Sequence, residues 1–558
     1  MITSMETAVG HESVAAPSSS TTARAPRSWT AFAAALVAAL VVALLSISSV
    51  LSAQFGPVDD HEPLSWLGSD GRLDAREFWT TLAGTEVSQW GGFLRFRPAY
   101  YSLRIGQAIL FGDNPTAWYW SILITYALTC AIAGYAVALW VSCAVQSRST
   151  GLEWLLLIVG SVLATWLFAG MNTWSGIATR LGASELPGLF SSALVLLALT
   201  KVSLGHRRLW WVLALAGCFI AVFSKEPFVS LVLVFPIVGL FSYLTYGRRK
   251  LDLIAGFSGL VPGMLLVGIL APSLSQSSTD IYGKAVGGSR LRDAVWALLN
   301  TSLRSWVFVA FALFIAWGVW ASTLTRRERG LRIFILALSI WLVGILLLDA
   351  WFYGGQYGST RYRAVMDLSL TLQTLAAVCL SIAAIRGSNT KVRAAVTAVS
   401  LVISCGALAQ AVSATLRGYA SIGIAVAANL QATDQYQRGL SDALQALALE
   451  PEAQLVVVAT NGGQYEPAYA VLNEVARRTN DSIRQFMIVP PLEDKPTDPL
   501  LEGLAALGIQ GSTAWHLLPR AGLSPDSFRV CIFLYQAPFP LPECEPGVST
   551  EISTVGIY

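Results

Sequence analysis

Four ionisable residues in a row, Asp59-Asp60-His61-Glu62, lie between Pro57 and Pro63 in the stretch FGPVDDHEPLSWLG, residues 55–68. The chemistry open to such a cluster is proton transfer, because a carboxylate held against apolar walls has its pKa raised towards the range of a general base. Residues before proline are pushed towards extended conformations, so a continuous helix through 56–63 is not expected. An extended tetrad points alternate side chains in opposite directions. That puts Asp59 with His61 on one side and Asp60 with Glu62 on the other. The competing reading is a solvated acidic loop that merely ends the apolar run before it. No second histidine lies close by to make His61 a metal ligand.

The rest of the chain must position this cluster. Of its 558 residues 54% are hydrophobic and only 13% charged, against about 25% charged in soluble globular proteins. Runs of about twenty nearly uncharged residues are long enough to cross a bilayer core of about 30 Å. The composition is that of a mainly α, polytopic membrane bundle. Hydropathy places about eleven spans near 29–52, 117–145, 152–170, 187–204, 209–224, 227–246, 251–271, 303–325, 331–350, 364–386 and 392–415. Lys and Arg cluster in the short segments on one side, which contain Arg24, Arg27, Arg148, Arg207, Arg208, Arg248, Arg249, Lys250, Arg326, Arg327, Arg386 and Lys391. The positive-inside rule then predicts a cytoplasmic N-terminus, with 53–116, 272–302 and everything after about 416 on the outer side. A net charge of +3 gives no argument for nucleic acid.

Residues 1–28, rich in Ser, Thr and Ala, read as a disordered cytoplasmic tail, too polar and too long for the start of a cleaved signal peptide. Residues 29–415 form the membrane domain. Residues 416–558 read as a small extracytoplasmic α/β unit, with strands in QLVVVAT, RQFMIVPP and FRVCIFLY and a helix in EPAYAVLNEVARRT. Gly462-Gly463 after the first strand reads as a turn in preference to a phosphate cradle. Five cysteines sit in apolar runs as packing residues. Cys531 and Cys544 lie in the C-terminal unit, where an oxidising compartment makes them a candidate disulfide. Trp90, Trp118, Trp120, Trp174 and Trp351 fall near expected span ends and read mostly as an interfacial belt.

Four segments in this order carry a resemblance. They are the acid pair Asp59-Asp60 after the first span, RFRPAYYSLRIGQAILFGDNP leading into the second, AVFSKEPFVSLVLVFP (221–236) and YGSTRYRAVMDLSL (357–370). Together they resemble the GT-C superfamily of integral-membrane glycosyltransferases over roughly residues 30–415. His61-Glu62 matches no fixed feature of that family, and no motif identifies a particular sugar.

The resemblance implies transfer of a sugar from a polyprenyl-phosphate donor to an envelope glycan, lipid or protein. It makes Asp59 the general base, and Asp60 its support or a contact to a divalent cation (Mg2+, Mn2+ or Ca2+). The leaving phosphate needs cations, for which it points to Arg361, Arg363, Lys225 and Lys284. Glu226, Tyr282 and Arg97 are the further substrate contacts it suggests. Each has a plain alternative: interfacial snorkelling for Arg361 and Arg363, and an ion pair capping a turn for Lys225-Glu226. Tyr282 and Lys284 lie in a Gly- and Ser-containing loop that reads as a mobile cover. The rival functions are a transporter or flippase, a non-catalytic assembly protein, and an O-antigen polymerase or ligase. The first expects charges near mid-span and matched halves, neither of which the sequence has.

Overall fold

The computed structural model describes residues 25–56, 60–90, 95–145, 150–206, 208–245, 249–276, 335–345, 360–386 and 391–449. It also describes 292, 296, 347–348 and, after 449, five strands and parts of one helix. The first helix, α1 (Ala25–Ser46), carries Ala31, Ala35, Ala39 and Ala43 at every fourth position, and all four are buried. Its other side exposes Val37, Val41, Leu44 and Leu45. An apolar stripe turned outward on a helix that is already packed is stable in a lipid solvent, not in water.

Three short helices follow: α2 (His61–Ser65), α3 (Phe78–Ala83) and α4 (Pro98–Phe111). The chain then enters α5 (Pro115–Val145), α6 (Thr150–Ala169), the one-turn α7 (Trp174–Ile177), α8 (Glu185–Ser203) and α9 (Arg208–Val222). α5 is apolar all round and buried on nearly every face, which makes it the central post. It packs on α1, α6 and α8. Next come α10 (Val234–Thr245), α11 (Lys250–Ser258), α12 (Val261–Gln276), α13 (Ile335–Ile345), α14 (Ala364–Arg386) and α15 (Lys391–Leu449).

Among the described residues six segments are long and apolar enough to cross a membrane: Trp29–Ser46, Pro115–Ser142, Glu185–Ser203, Glu226–Thr245, Lys250–Ser273 and Ala398–Leu449. Shorter apolar helices stand at Trp154–Ala169, Arg208–Val222, Ile335–Ile345 and Ala364–Cys379. The chain is mainly helical and has the helices of a membrane protein. The expected span at 303–325 lies outside the described residues. Two other expected spans have unanticipated interiors. The one at 227–246 opens as an eight-residue 3-10 helix, Glu226–Leu233, before α10. The one at 251–271 is divided at Gly259 into α11 and α12.

The largest departure is α15. The sequence reading ends the last span near 415, yet the helix runs unbroken for 59 residues, about 88 Å at 1.5 Å per residue. Beyond it five parallel strands form one sheet in the order β3-β2-β1-β4-β5. They are β1 (Gln454–Ala459), β2 (Gln485–Ile488), β3 (His516–Leu517), β4 (Arg529–Tyr535) and β5 (Gly547–Ser553). Val456 sits opposite Phe486 on one side and Cys531 on the other. α15 packs against β5, β4 and β1. β3 and β5 have no counterpart in the sequence reading, since one is two residues long and GVSTEIS at the sheet edge lacks an apolar run.

The tryptophan belt is corrected in part. Trp120 and Trp90 are exposed, as a belt requires, whereas Trp118 and Trp174 are fully buried. Trp118 donates its indole N–H to the Gly112 carbonyl at 2.8 Å, and Trp174 donates to Phe168 O at 2.7 Å. Trp118 bolts α5 to the turn before it, and Trp174 bolts α7 to the end of α6. Trp351 lies outside the described residues.

Candidate functional site

Asp59 lies outside the described residues, and Asp60 is the first acid of the cluster that can be placed. It does not sit in an extended tetrad. Its backbone is helical (φ −85°, ψ −21°), and it stands at the N-cap of α2, which begins at His61. Pro63 is the third residue of that helix, where a missing N–H costs nothing because first-turn N–H groups have no helical partner. Pro63 therefore stands inside a helix start, which corrects the extended, alternating picture for Asp60, His61 and Glu62.

The Asp60 side chain caps nothing on α2. Oδ2 accepts the Gly56 N–H at 2.8 Å, and Oδ1 accepts the Leu181 N–H at 3.0 Å. Asp60 is buried, and it staples the acidic loop to the segment before α8 from 121 residues away.

That segment leads to a residue the sequence reading passed over. Glu185, at the first turn of α8, is buried, and its Oε1 accepts a hydrogen bond from Lys225 Nζ. Arg361 Nε lies 3.9 Å from the same oxygen. Oε2 is buried with no hydrogen-bond partner among the described residues. The available signal was an acid two residues ahead of a proline at the head of an apolar run, E-L-P at 185–187. Placing that span at 187–204 left Glu185 just outside it.

Lys225 and Glu226 do not pair with each other. Lys225 is extended (φ −162°, ψ 144°) at the start of the 3-10 helix, so the two side chains leave on different sides. Glu226 takes both arms of Arg97, Nε to Oε1 and Nη2 to Oε2, each at 2.8 Å. This bidentate pair is buried, with Glu86 3.9 Å from Arg97 as an outer neighbour.

The expected R-P-x-Y-Y and S-K-E segments thus meet. Phe223 O accepts the Ala99 N–H at 3.1 Å, and Tyr100 Oη donates to Gly182 O at 2.9 Å. Burial, and then the nearby carboxylates Glu62 and Glu86, push the Tyr101 phenol well above its ordinary pKa.

The L-F-G-x-N-P turn has a local explanation. Gly112 (φ 53°) is in the left-handed region, and a Cβ there would stand 2.6 Å from Gly71 O. Asn114 Oδ1 then accepts the Ala117 N–H at 3.2 Å, and Pro115 is the first residue of α5. This is the cap-then-proline start that a helix favours.

Arg361 and Arg363 lie together in a 3-10 turn, Thr360–Arg363, at the head of α14. The structure brings Arg361 to Glu185 and Lys225, while Arg363 is exposed and lines a separate groove with Asp367 and Arg417. Lys284 and Tyr282 lie outside the described residues, as does Cys544. Cys531 is placed by its backbone on β4.

Among the described residues no group of three or more His, Cys, Asp or Glu is placed to hold a metal ion. Asp60, the expected ligand, already accepts a backbone N–H on each oxygen.

No protein-family model matches the chain, and a search of curated proteins returns no match. The geometry therefore has to carry the functional reading by itself.

Proposed function

We propose that the protein is an integral-membrane glycosyltransferase that moves a sugar from a polyprenyl-phosphate donor to an envelope glycan, lipid or protein acceptor. In this reading about eleven helices cross a bacterial cell membrane with the N-terminus cytoplasmic. The site and the C-terminal α/β unit then face outward. One observation carries the reading: Asp60 fixes the acidic loop to the segment whose Glu185 faces Lys225 and Arg361. A loop acid and two cations that suit a phosphate are thereby brought to one end of an apolar bundle. The charges stand at helix ends, not at mid-span, which speaks against a coupling-ion site of a transporter.

The proposed step is an inverting displacement. An acceptor hydroxyl oxygen forms a bond to the anomeric carbon as Asp59 takes its proton. The bond from that carbon to the phosphate oxygen breaks on the opposite face, and its electron pair leaves with the polyprenyl phosphate. Cations stabilise the growing charge on that oxygen, a role given to Lys225, Arg361 and Lys284; Arg363, expected with them, faces the separate groove. Asp60 acts by holding the loop. Arg97 and Glu226 brace two motif segments against each other and need not touch substrate; Tyr282 remains a donor contact. A divalent cation held by the acidic loop would add to that charge stabilisation, and no step is routed through it.

The test is transfer by purified protein supplied with a panel of polyprenyl-phosphate sugars. Asp59→Asn should abolish transfer while leaving thermal stability unchanged. Transfer that survives both Asp59→Ala and Asp60→Ala sinks the site, and no transfer from any donor sinks the class.

A further inference from the structure

Beside the site, α14, α15 and the turn at Met171-Asn172 enclose a groove of about 490 Å³. We propose that this groove binds the phosphate head of a membrane lipid between Arg363 and Arg417, with the lipid chain lying along α14 and α15. This is a second anion site, apart from the Glu185 cluster.

The two arginines reach the same height by helix arithmetic. α14 runs from Ala364 to Arg386, and α15 starts back from Lys391. Arg363 is 23 residues from the end of α14 (386 minus 363), and Arg417 is 26 residues into α15 (417 minus 391). At 1.5 Å per residue these are about 35 Å from Arg386 and about 39 Å from Lys391. A hydrocarbon core is about 30 Å thick, so both guanidiniums stand where lipid phosphates lie.

The walls suit a chain below such a head. Ala407, Ala411 and Ala414 recur on one face of α15 and, with Leu370 of α14, leave room along the helices. Thr371, Thr374 and Gln410 complete the lining lower in the groove.

The charge balance points to an anion. Asp367, one turn from Arg363, also lines the groove, and among the described residues no carboxylate pairs with Arg417. Lys225 and Arg361 already face Glu185, whereas the groove keeps one guanidinium in excess of its acid. Two guanidiniums across a cleft match the oxygens of a phosphate in paired hydrogen bonds.

The proposal rests on the membrane placement of the bundle and on no step of the transfer chemistry. Its test is equilibrium binding of radiolabelled farnesyl phosphate to the full chain in phosphatidylcholine nanodiscs, counted against empty discs. Farnesol and inorganic phosphate serve as competitors.

Saturable binding is expected for the wild type. Arg417→Gln and Arg363→Gln should each weaken it about tenfold, the loss of one charge-assisted contact. Arg208→Gln, a charge-matched control at the head of α9, should leave it unchanged. Ala411→Trp fills the groove without altering charge and should block binding.

Arg417→Gln binding as tightly as Arg208→Gln, or Ala411→Trp binding like the wild type, overturns the site. Farnesol competing equally overturns the phosphate contact, and inorganic phosphate competing equally overturns the lipid. Binding retained where transfer is absent with every donor would count against the glycosyltransferase reading and leave this site standing. Transfer retained where binding is absent does the reverse.

Discussion

Glu226→Gln separates a brace from a substrate contact. Arg97 and Glu226 are 9% and 3% exposed and share two hydrogen bonds of 2.8 Å. Removing one partner of a buried pair costs about 3–5 kcal/mol, because the other charge stays buried and uncompensated. Glutamine keeps one acceptor for Arg97, and Glu86 lies 3.9 Å from its Nε, so the lower end, about 3 kcal/mol, is expected. At about 1.4 kcal/mol per tenfold, the folded-to-unfolded ratio falls about a hundredfold. The double variant Arg97→Met, Glu226→Leu removes both charges of the pair, and such replacements are often neutral or stabilising. It should therefore recover about 2 kcal/mol or more of the loss. The assay is reversible denaturant unfolding in detergent for the wild type, both single variants and the double. A single-variant cost below about 1 kcal/mol, or a double variant as unstable as the two singles added, refutes the buried brace.

Asp60→Asn keeps an acceptor for only one of Gly56 and Leu181 and loses the charge on both contacts. It should cost about 1.5–3 kcal/mol in the same unfolding assay, and an unchanged midpoint would contradict its role as a staple. Gly418→Ala places a Cβ 1.9 Å from Gly170 O, where α15 meets the end of α6; overpacking there should cost about 1–3 kcal/mol, read as a lower melting temperature. Glu474 is buried, which by itself raises its pKa, but the Arg477 hydrogen bond and the charges of Arg477 and Arg478 bring it below the ordinary value. A folded pKa below the unfolded value of about 4.3 gives stability that is present above that pH and lost as pH falls through the folded value. Glu474→Gln should remove that acid-side slope from melting curves, and an unchanged slope would show that other carboxylates set it.

Much of the bundle was legible because lipid imposes one rule, that a long apolar run closes its own hydrogen bonds as a helix. The interiors of those runs were not. Glu226–Leu233 reads as ordinary span, yet Pro227 and the paired Glu226 hold its first turns in 3-10 geometry, an effect of contacts from Arg97 that lies 129 residues away. The acid loop failed for a related reason. Pro63 disfavours helix at Glu62, yet both stand in the first turn of α2, where a missing proline N–H is harmless. Lys225, Arg361, Arg97 and Glu226 stand out by charge in an apolar context, which is a sound signal of position. Their partners were invisible, because ion pairs such as Lys225 with Glu185 form between distant segments and leave no spacing pattern.

The long helix α15 changes how the acidic loop is understood. Gln437 Nε2 donates to Phe55 O at 3.0 Å, one residue before Gly56. Thr433 Cγ2 would stand 3.3 Å from a Cβ at Gly56, and Asn429 Nδ2 donates to Tyr119 Oη at 3.3 Å. These three residues fall at intervals of four along α15 and so share one face. That face extends about 18–30 Å beyond Arg417, by the 12 to 20 residues between them at 1.5 Å each. The loop is therefore clamped from two sides, by Leu181 through Asp60 and by α15 through Phe55, and α15 is also the element on which the sheet packs. A last span that stopped near 415 would leave the Phe55 carbonyl to water and the loop held by Asp60 alone. The extension from 416 to 449 is thus part of the frame of the site, and Gln437→Ala should loosen the loop without disturbing the bundle. Faster amide exchange at Phe55 and Gly56 with an unchanged melting temperature is the expected signature. Unchanged exchange there would mean that Asp60 is the sole clamp.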